Sequence, residues 1–178
     1  MKQSAGILLY RKTDVIEVFL VHPGGPFWAK KDAAAWSIPK GEYEAEEDEL
    51  SAAKREFKEE VGHEVPAGDC QALGDFKVSS SKVVKAWAVE GEIDPKQVKS
   101  NTFQMEWPPK SGKMDEFPEV DRAAWFPLAI ATQKIVKGQV PIIERLAELL
   151  GVEISMQLAK VQEAGVAPKS DESQTSLF

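Results

Sequence analysis

Over the first half of the chain apolar residues come in short runs, each closed by turn chemistry, which is the pattern of strands. Ala5 to Arg11 reads as one strand and Val15 to His22 as a second, with Lys12-Thr13-Asp14 as a hairpin connection. In the second run Val15, Glu17, Phe19 and Val21 alternate with Ile16, Val18 and Leu20. Both sets are largely apolar, which predicts burial on both faces. His22-Pro23-Gly24-Gly25-Pro26 predicts a loop from its Pro and Gly content, and Trp36 to Gly41 a short strand running into a turn. The period then changes. Glu46 to Val61 reads as a helix that Gly62 stops. Leu73 to Ser80 and Lys82 to Glu90 are two further strands, with Ser79-Ser80-Ser81 between them.

Ile93 to Pro118 shows no sustained period and contains Trp107-Pro108-Pro109 and Ser111-Gly112-Lys113, so it is expected to be mainly a long functional loop. Asp121 to Phe126 is a final strand. Pro127 opens a helix that Gly138 breaks, and Pro141 to Leu150 forms the last one. Ile154 to Ala164 is expected to extend helically and Lys169 to Phe178 to be disordered. Strands and helices interleaved in this way predict an α/β protein, an α/β/α sandwich around a mixed sheet. The expected organisation is one domain over residues 1–150 and a C-terminal extension over 151–178.

Composition narrows the function. With 43% hydrophobic and 29% charged residues the chain has the balance of a soluble globular protein. Its apolar runs are too short to cross a bilayer, so no membrane partner is expected. No cationic segment leads into a long apolar stretch at the N-terminus, and the single cysteine, Cys70, permits no internal disulfide. A cytoplasmic location is the expectation. The net charge of −7 disfavours duplex nucleic acid as a partner, because phosphate backbones need basic surfaces. It leaves small phosphate substrates open, since bound divalent cations reverse the local sign.

Much of the acidity lies between Glu42 and Glu64. On a helix, Leu50, Ala53, Phe57 and Val61 fall on one stripe, while Glu56, Glu59 and Glu60 share an adjacent face at i, i+3 and i+4. Like charges held so close repel, and a divalent cation turns that repulsion into attraction; hard oxygen ligands suit Mg²⁺ or Mn²⁺. The plain alternative is a solvated acidic face, as many charge runs are. Two features weigh against it. The helix follows directly on the turn Pro39-Lys40-Gly41, and Arg55 stands four residues before Glu59, placed to pair with it.

The segment Gly41, five residues, Glu47, seven residues, then Arg55-Glu56-Phe57-Lys58-Glu59-Glu60-Val61-Gly62-His63 resembles the signature box of the Nudix hydrolases. Every polar and glycine position matches; Phe57 and His63 replace aliphatic residues. The resemblance implies a Nudix-type fold over about residues 4–150 and hydrolysis of a phosphoanhydride bond with Mg²⁺, or Mn²⁺, as cofactor. It implies Glu56, Glu59 and Glu60 as metal ligands together with a carbonyl at Lys40 or Gly41, and Glu59 or Glu60 as an activator of water. Arg55 would orient a glutamate, Glu47 brace the loop and Gly62 close the helix. Members of the family often carry a further acid after the box. Glu116, Glu119 and Asp121 are the candidates, with Glu119 preferred for its distance from Trp125. For substrate contacts, Lys40, Lys82 and Lys85 are candidate phosphate ligands and Trp28 and Trp107 candidate stacking surfaces in loops, whereas Trp87 is expected in the core and His22 has no assigned role.

Substrate class is less determined. Ile38-Pro39-Lys40-Gly41 and Lys82 to Trp87 resemble diadenosine tetraphosphate hydrolases, yet Ser80 and Ser81 stand where those enzymes carry tyrosine, and Ser79 where ADP-ribose pyrophosphatases carry proline. Dinucleoside polyphosphates or nucleoside triphosphates rank first, and ADP-ribose or nucleotide sugars second. A non-catalytic ligand sensor of the same fold is the rival from another class, and it is disfavoured because all the box carboxylates are present. The protein is expected to act as a monomer or homodimer.

Overall fold

A computed structural model describes residues 1–163 and 165. Eight strands and four helices follow one another as β1 (Lys2–Lys12), β2 (Ile16–Pro23), β3 (Lys40–Glu42), α1 (Glu49–Val61), β4 (Gln71–Lys77), β5 (Lys82–Glu90), β6 (Thr102–Glu106), β7 (Met114–Pro118), β8 (Val120–Pro127), α2 (Leu128–Lys134), α3 (Val140–Leu150) and α4 (Ile154–Glu163). Six strands form one sheet in the order β4-β5-β1-β2-β8, with β3 added on β1. β1 and β5 run parallel and every other pair is antiparallel, so the sheet is mixed as expected.

The two-residue period of the strands decides which layer each side chain joins. Leu8, Tyr10, Ile16, Val18 and Leu20 face one way and pack with Leu128, Ile142, Ile143 and Leu146 from α2 and α3. Ala5, Ile7, Leu9, Phe19 and Val21 face the other way and pack with Ala52, Ala53, Phe57 and Val61 of α1. The result is helix, sheet, helix. β1 and β2 are buried on both faces, which explains their near-continuous apolar sequence.

One irregularity of the sheet positions the site. β1 pairs with β2 only at its far end, from Tyr10 to Lys12. At its near end the same edge pairs with β3, Gly6 opposite Lys40 and Ala5 opposite Gly41. The segment Ser37–Glu42 therefore enters the gap where β2 leaves β1, bonded to Val21 on one side and to Ile7 on the other.

Several boundaries differ from the sequence expectation. α1 begins at Glu49 and not at Glu46, because Asp48 caps it by accepting from the Ser51 N–H at 2.9 Å, while Glu44 to Glu47 form a turn. Residues 93–118 are only in part loop. They hold a 3-10 turn at Pro95–Gln97 and the hairpin β6–β7, in which Phe103 lies opposite Phe117. The hairpin stands apart from the main sheet with little apolar surface, so its alternation was weak. α2 ends at Lys134, before Gly138, because Ile135 turns extended to bridge Trp36; Gly138 lies instead in a 3-10 turn, Lys137–Gln139.

The helical extension expected from Ile154 is present as α4, so α3 is followed by a further helix. Beyond residue 150, α4 buries Gln157 and Val161, and the Gln157 Oε1 accepts the Ile16 N–H at 2.7 Å. Lys169 to Phe178 lie outside the described residues. Among those that are described, no helix is long and apolar enough to cross a membrane.

Candidate active site

α1 places its apolar residues against the sheet and its charged ones on the side of the Lys40–Glu42 strand. Ala52, Ala53, Phe57 and Val61 are fully buried, and Leu50 is only partly so. Gly62 closes the helix in the left-handed conformation (φ 80°), its N–H donating to the Lys58 carbonyl at 2.8 Å. His63 fills the position where the family pattern has an aliphatic residue, and its Nε2 lies 2.8 Å from the Gln97 carbonyl, tying the helix end to the 3-10 turn.

Arg55 organises the acidic face. Its guanidinium takes Glu47 in a two-pronged contact, Nε to Oε1 at 2.8 Å and Nη2 to Oε2 at 3.0 Å. Nη1 reaches Glu56 at 2.6 Å and Glu59 at 3.3 Å. Three carboxylates on one cation, Glu47 foremost, hold Arg55 firmly protonated, and the hydrogen bond from Arg55 in turn pushes Glu47 below the ordinary carboxylate range. Glu47 belongs to the turn before the helix, so Arg55 locks that turn onto α1.

Glu60 faces the opposite problem. Its Oε2 accepts the Lys40 N–H at 3.1 Å, and it sits close under the turn. Burial, with the added repulsion of Glu56 and Glu119, pushes its pKa up to about 8, against the opposing pull of Lys40. Burial also raises Glu56. Gly41 is required here by close approach: a Cβ on it would lie 1.9 Å from the Glu56 Oε2. Thus the turn residue Lys40 touches one glutamate and Gly41 makes room for another.

Of the three later acids, Glu119 alone joins this cluster. Burial raises its pKa, and so do the neighbouring charges of Glu56 and Glu59. Glu116 is instead hydrogen-bonded by the Thr102 hydroxyl across the hairpin, and Asp121 lies 2.8 Å from His22. A relay of backbone bonds places Glu119: Asn101 N–H to the Glu59 carbonyl at 2.9 Å, Glu119 N–H to the Asn101 carbonyl at 2.8 Å, and Gly24 N–H to the Glu119 carbonyl at 2.9 Å. The end of α1 is thereby joined to the loop after β2.

That loop forms one wall of a cavity of about 290 Å³, lined among others by Trp28, Ser37, Lys40, Lys82, Val136 and Gln139. Trp28 packs against the core, with the Lys31 ammonium 4.8 Å from its ring centre. Lys40 and Lys82 are near enough for the second to depress the pKa of the first, after burial as the larger cause. Trp107 is not in this cavity. It lies on the hairpin, edge to face with the exposed Phe27 at 5.4 Å. Lys85 is also elsewhere, bonded to Glu49 at 2.6 Å, and Trp87 is in the core as expected.

Two residues with no role assigned from sequence are notable. His22 is fully buried, with Nδ1 at 2.8 Å from Asp121 and Nε2 at 2.6 Å from the Lys31 carbonyl; a carbonyl only accepts, so Nε2 carries a proton. This ring ties both ends of the Trp28 loop to the start of β8. The available signal was a polar residue ending an otherwise apolar strand. Gln139 is buried at the cavity wall, and nothing in its local sequence marks it.

The residue types suit a hard divalent cation, since Glu56, Glu59, Glu60 and Glu119 all offer oxygen donors and the buried ones lack full cationic compensation. Among the described residues no three acidic, histidine or cysteine side chains already stand as a closed cage. Glu56 and Glu59 each accept from the Arg55 Nη1 through Oε1 alone, which leaves the second oxygen of each carboxylate uncommitted to Arg55.

The fold has known counterparts. A C. elegans Ap4A hydrolase binary complex is 23% identical, covers 85% of this chain and 98% of that one, and superposes with a TM-score of 0.58. The NUDIX domain of Shewanella oneidensis NrtR, complexed with ADP ribose, is 16% identical, with coverages of 84% and 88% and a TM-score of 0.55. A Nudix hydrolase from M. smegmatis, RenU, is 17% identical, with coverages of 84% and 86% and a TM-score of 0.54. At these identities the likeness is one of fold. The comparison with curated proteins gave no match. The family model of the NUDIX domain matches residues 1–146, which span the whole box and the sheet that carries it, and the chain therefore belongs to the NUDIX domain family.

Proposed function

We propose that this protein is a divalent-cation-dependent pyrophosphohydrolase acting on nucleoside diphosphate derivatives, with dinucleoside polyphosphates or nucleoside triphosphates as its substrate class. The observation that carries the reading is the double position of Lys40. Its N–H holds Glu60 at 3.1 Å while the residue lines the cavity that Trp28 and Lys82 also line. A nucleoside seated there has an aromatic surface, and its phosphates run past two ammonium groups toward the glutamates.

In this reading Glu56, Glu59 and Glu60, with a carbonyl of the Lys40–Gly41 turn, hold the cation. A bound Mg²⁺ or Mn²⁺ supplies charge neutralisation and a more acidic water. Arg55 and Glu47 keep the turn and helix in register. Lys40 and Lys82 bind non-bridging phosphate oxygens. Glu119, with its raised pKa, accepts a proton from the attacking water. Trp107 and Phe27 on the hairpin offer a second aromatic surface outside the cavity. The test is a panel of diadenosine polyphosphates, nucleoside triphosphates, ADP-ribose and nucleotide sugars, with products identified by mass. Preferred cleavage of ADP-ribose would reverse the substrate order, and no cleavage of any with Mg²⁺ or Mn²⁺ would favour a ligand sensor.

Two further outcomes are expected. Glu119→Gln lowers kcat about 10²-fold with little change in KM, the ordinary size of a general-base loss. An unchanged rate in single-turnover measurements would remove Glu119 from the mechanism.

The second concerns pH. Glu60 keeps its proton in the folded state up to about pH 8, whereas the unfolded chain loses it near the ordinary value of 4.5. Between those values the folded state binds more protons, so this group makes stability fall as pH rises. A cation needs the ionised carboxylate and competes with the proton. Mn²⁺ should therefore raise the melting temperature more at pH 8.5 than at pH 6. Equal gains at both pH values would place Glu60 outside the cation site.

A further inference from the structure

Gln139 is 2% exposed, and its side-chain amide is bonded entirely to one short segment. Its Oε1 accepts the Ile38 N–H at 3.0 Å and its Nε2 donates to the Ser37 oxygen at 2.9 Å, while the Ser37 hydroxyl has the Ile38 carbonyl at 2.7 Å as its nearer acceptor and Oε1 at 3.3 Å as the farther one. The need for these bonds follows from the segment's position. Ser37 exchanges both backbone bonds with Val21, at 2.9 and 3.0 Å, and the Pro39 carbonyl accepts the Ile7 N–H at 3.1 Å. Trp36 is bonded on both sides to the Lys134–Val136 stretch. Pro39 has no N–H, so the Ile38 N–H is the last donor before the Lys40 turn, and Ile38 is fully buried.

A buried N–H needs an acceptor. The parallel bridge between Trp36 and Ile135 would supply a backbone carbonyl if it continued, but the chain leaves it for the 3-10 turn at Lys137–Gln139. A primary amide is chemically a peptide group, and the Gln139 side chain stands in for the missing backbone.

We propose that Gln139 is a positioning residue of the active site: it fixes Ile38, and through the stiff Pro39 it sets the Lys40–Gly41 turn against Glu60 and Glu56. This rests on the hydrolase reading of the site. Gln139 also lines the cavity, so it joins the wall of the substrate pocket to the catalytic turn through one side chain. A misplacement of the turn by a fraction of an ångström would be felt in turnover more than in substrate binding.

The experiment compares wild type, Gln139→Met, Gln139→Glu and Ser37→Ala for Mg²⁺-dependent hydrolysis of diadenosine tetraphosphate and ATP, with thermal melts and amide hydrogen exchange at Ile38. Methionine keeps the volume and removes the bonds. It is expected to cut kcat about tenfold or more, to leave KM within about threefold, and to speed exchange of the Ile38 amide by about tenfold. Glutamate still accepts from Ile38, and the Ser37 hydroxyl can turn to donate to it; recovery of kcat to within about threefold of wild type is expected.

A folded Gln139→Met with wild-type kcat overturns the proposal, and so does one with raised KM and unchanged kcat, which would make Gln139 a substrate contact. Equal loss in the Met and Glu variants overturns it as well. If the Met variant does not fold, the Glu variant and Ser37→Ala decide: kcat close to wild type in the first and a modest fall in the second are expected, and a large loss in the Glu variant at wild-type melting temperature counts against it. If wild type hydrolyses nothing, the hydrolase reading fails separately, and slow Ile38 exchange in wild type against fast exchange in Gln139→Met still reports whether Gln139 holds the turn.

Discussion

Glu59→Gln is expected to lose turnover by about 10³-fold while the melting temperature stays within about 3 °C of wild type. The side chain is 38% exposed and lies on the charged face of α1, away from the stripe of Ala53, Phe57 and Val61 that packs on the sheet. Its side chain accepts a hydrogen bond from Arg55 at 3.3 Å, and the amide oxygen of glutamine can keep it. What the variant loses is charge. In a site of several carboxylates that loss eases repulsion and so costs the fold nothing, but it removes a ligand that a divalent cation needs. The check is steady-state kinetics with Mg²⁺ together with a thermal melt and Mn²⁺ titration. A rate within tenfold of wild type would take Glu59 out of the cation site; a collapsed fold would mean that its role is structural.

Gly41→Ala separates function from stability in another way. The new Cβ would stand 1.9 Å from the Glu56 Oε2 and 2.1 Å from its Cδ, closer than any real contact. The clash is with the end of a flexible side chain, and Gly41 is not in the left-handed region, so the backbone itself accepts alanine. Glu56 must therefore turn aside, and folding should change by no more than about 1 kcal/mol. Activity should fall by about 10²-fold, because a ligand displaced by an ångström or more no longer serves the reaction. A variant as active as wild type would show that Glu56 is not needed where it stands. The first glycine of the box thus has a physical reason: it leaves room for the carboxylate of Glu56, fifteen residues further along the chain.

The two halves of the site were unequally legible. Glu56, Glu59 and Glu60 lie within one turn of a helix, so their convergence follows from local geometry that any chain of this sequence obeys when helical. The same holds for the pairing of Arg55 with Glu59. Glu119 was singled out with two competitors, and what separates it from Glu116 and Asp121 is non-local: the relay from Glu59 through Asn101 brings it to the glutamates, while a hairpin threonine and a buried histidine occupy the others. Trp28 and Trp107 looked alike as loop aromatics, yet one lines the cavity beside Lys40 and the other sits on a separate hairpin against Phe27.

What the sequence alone determined was periodic or contiguous. The alternation in β2 divided its side chains between two faces, and the apolar stripe of α1 assigned its buried face; the box spacing placed the carboxylates together. These depend on the fixed repeats of strand and helix, which need only short-range information. The tertiary structure decided what depends on chain segments far apart in sequence. It opened β1 from β2 so that residues 37–42 could enter, brought Gln139 to Ile38, set His22 on Asp121 and laid α4 over the start of β2. The last three each rest on a buried polar side chain, Gln139, His22 or Gln157, finding a distant partner. Burial makes such a partner necessary, but only the packed chain determines which residue it is.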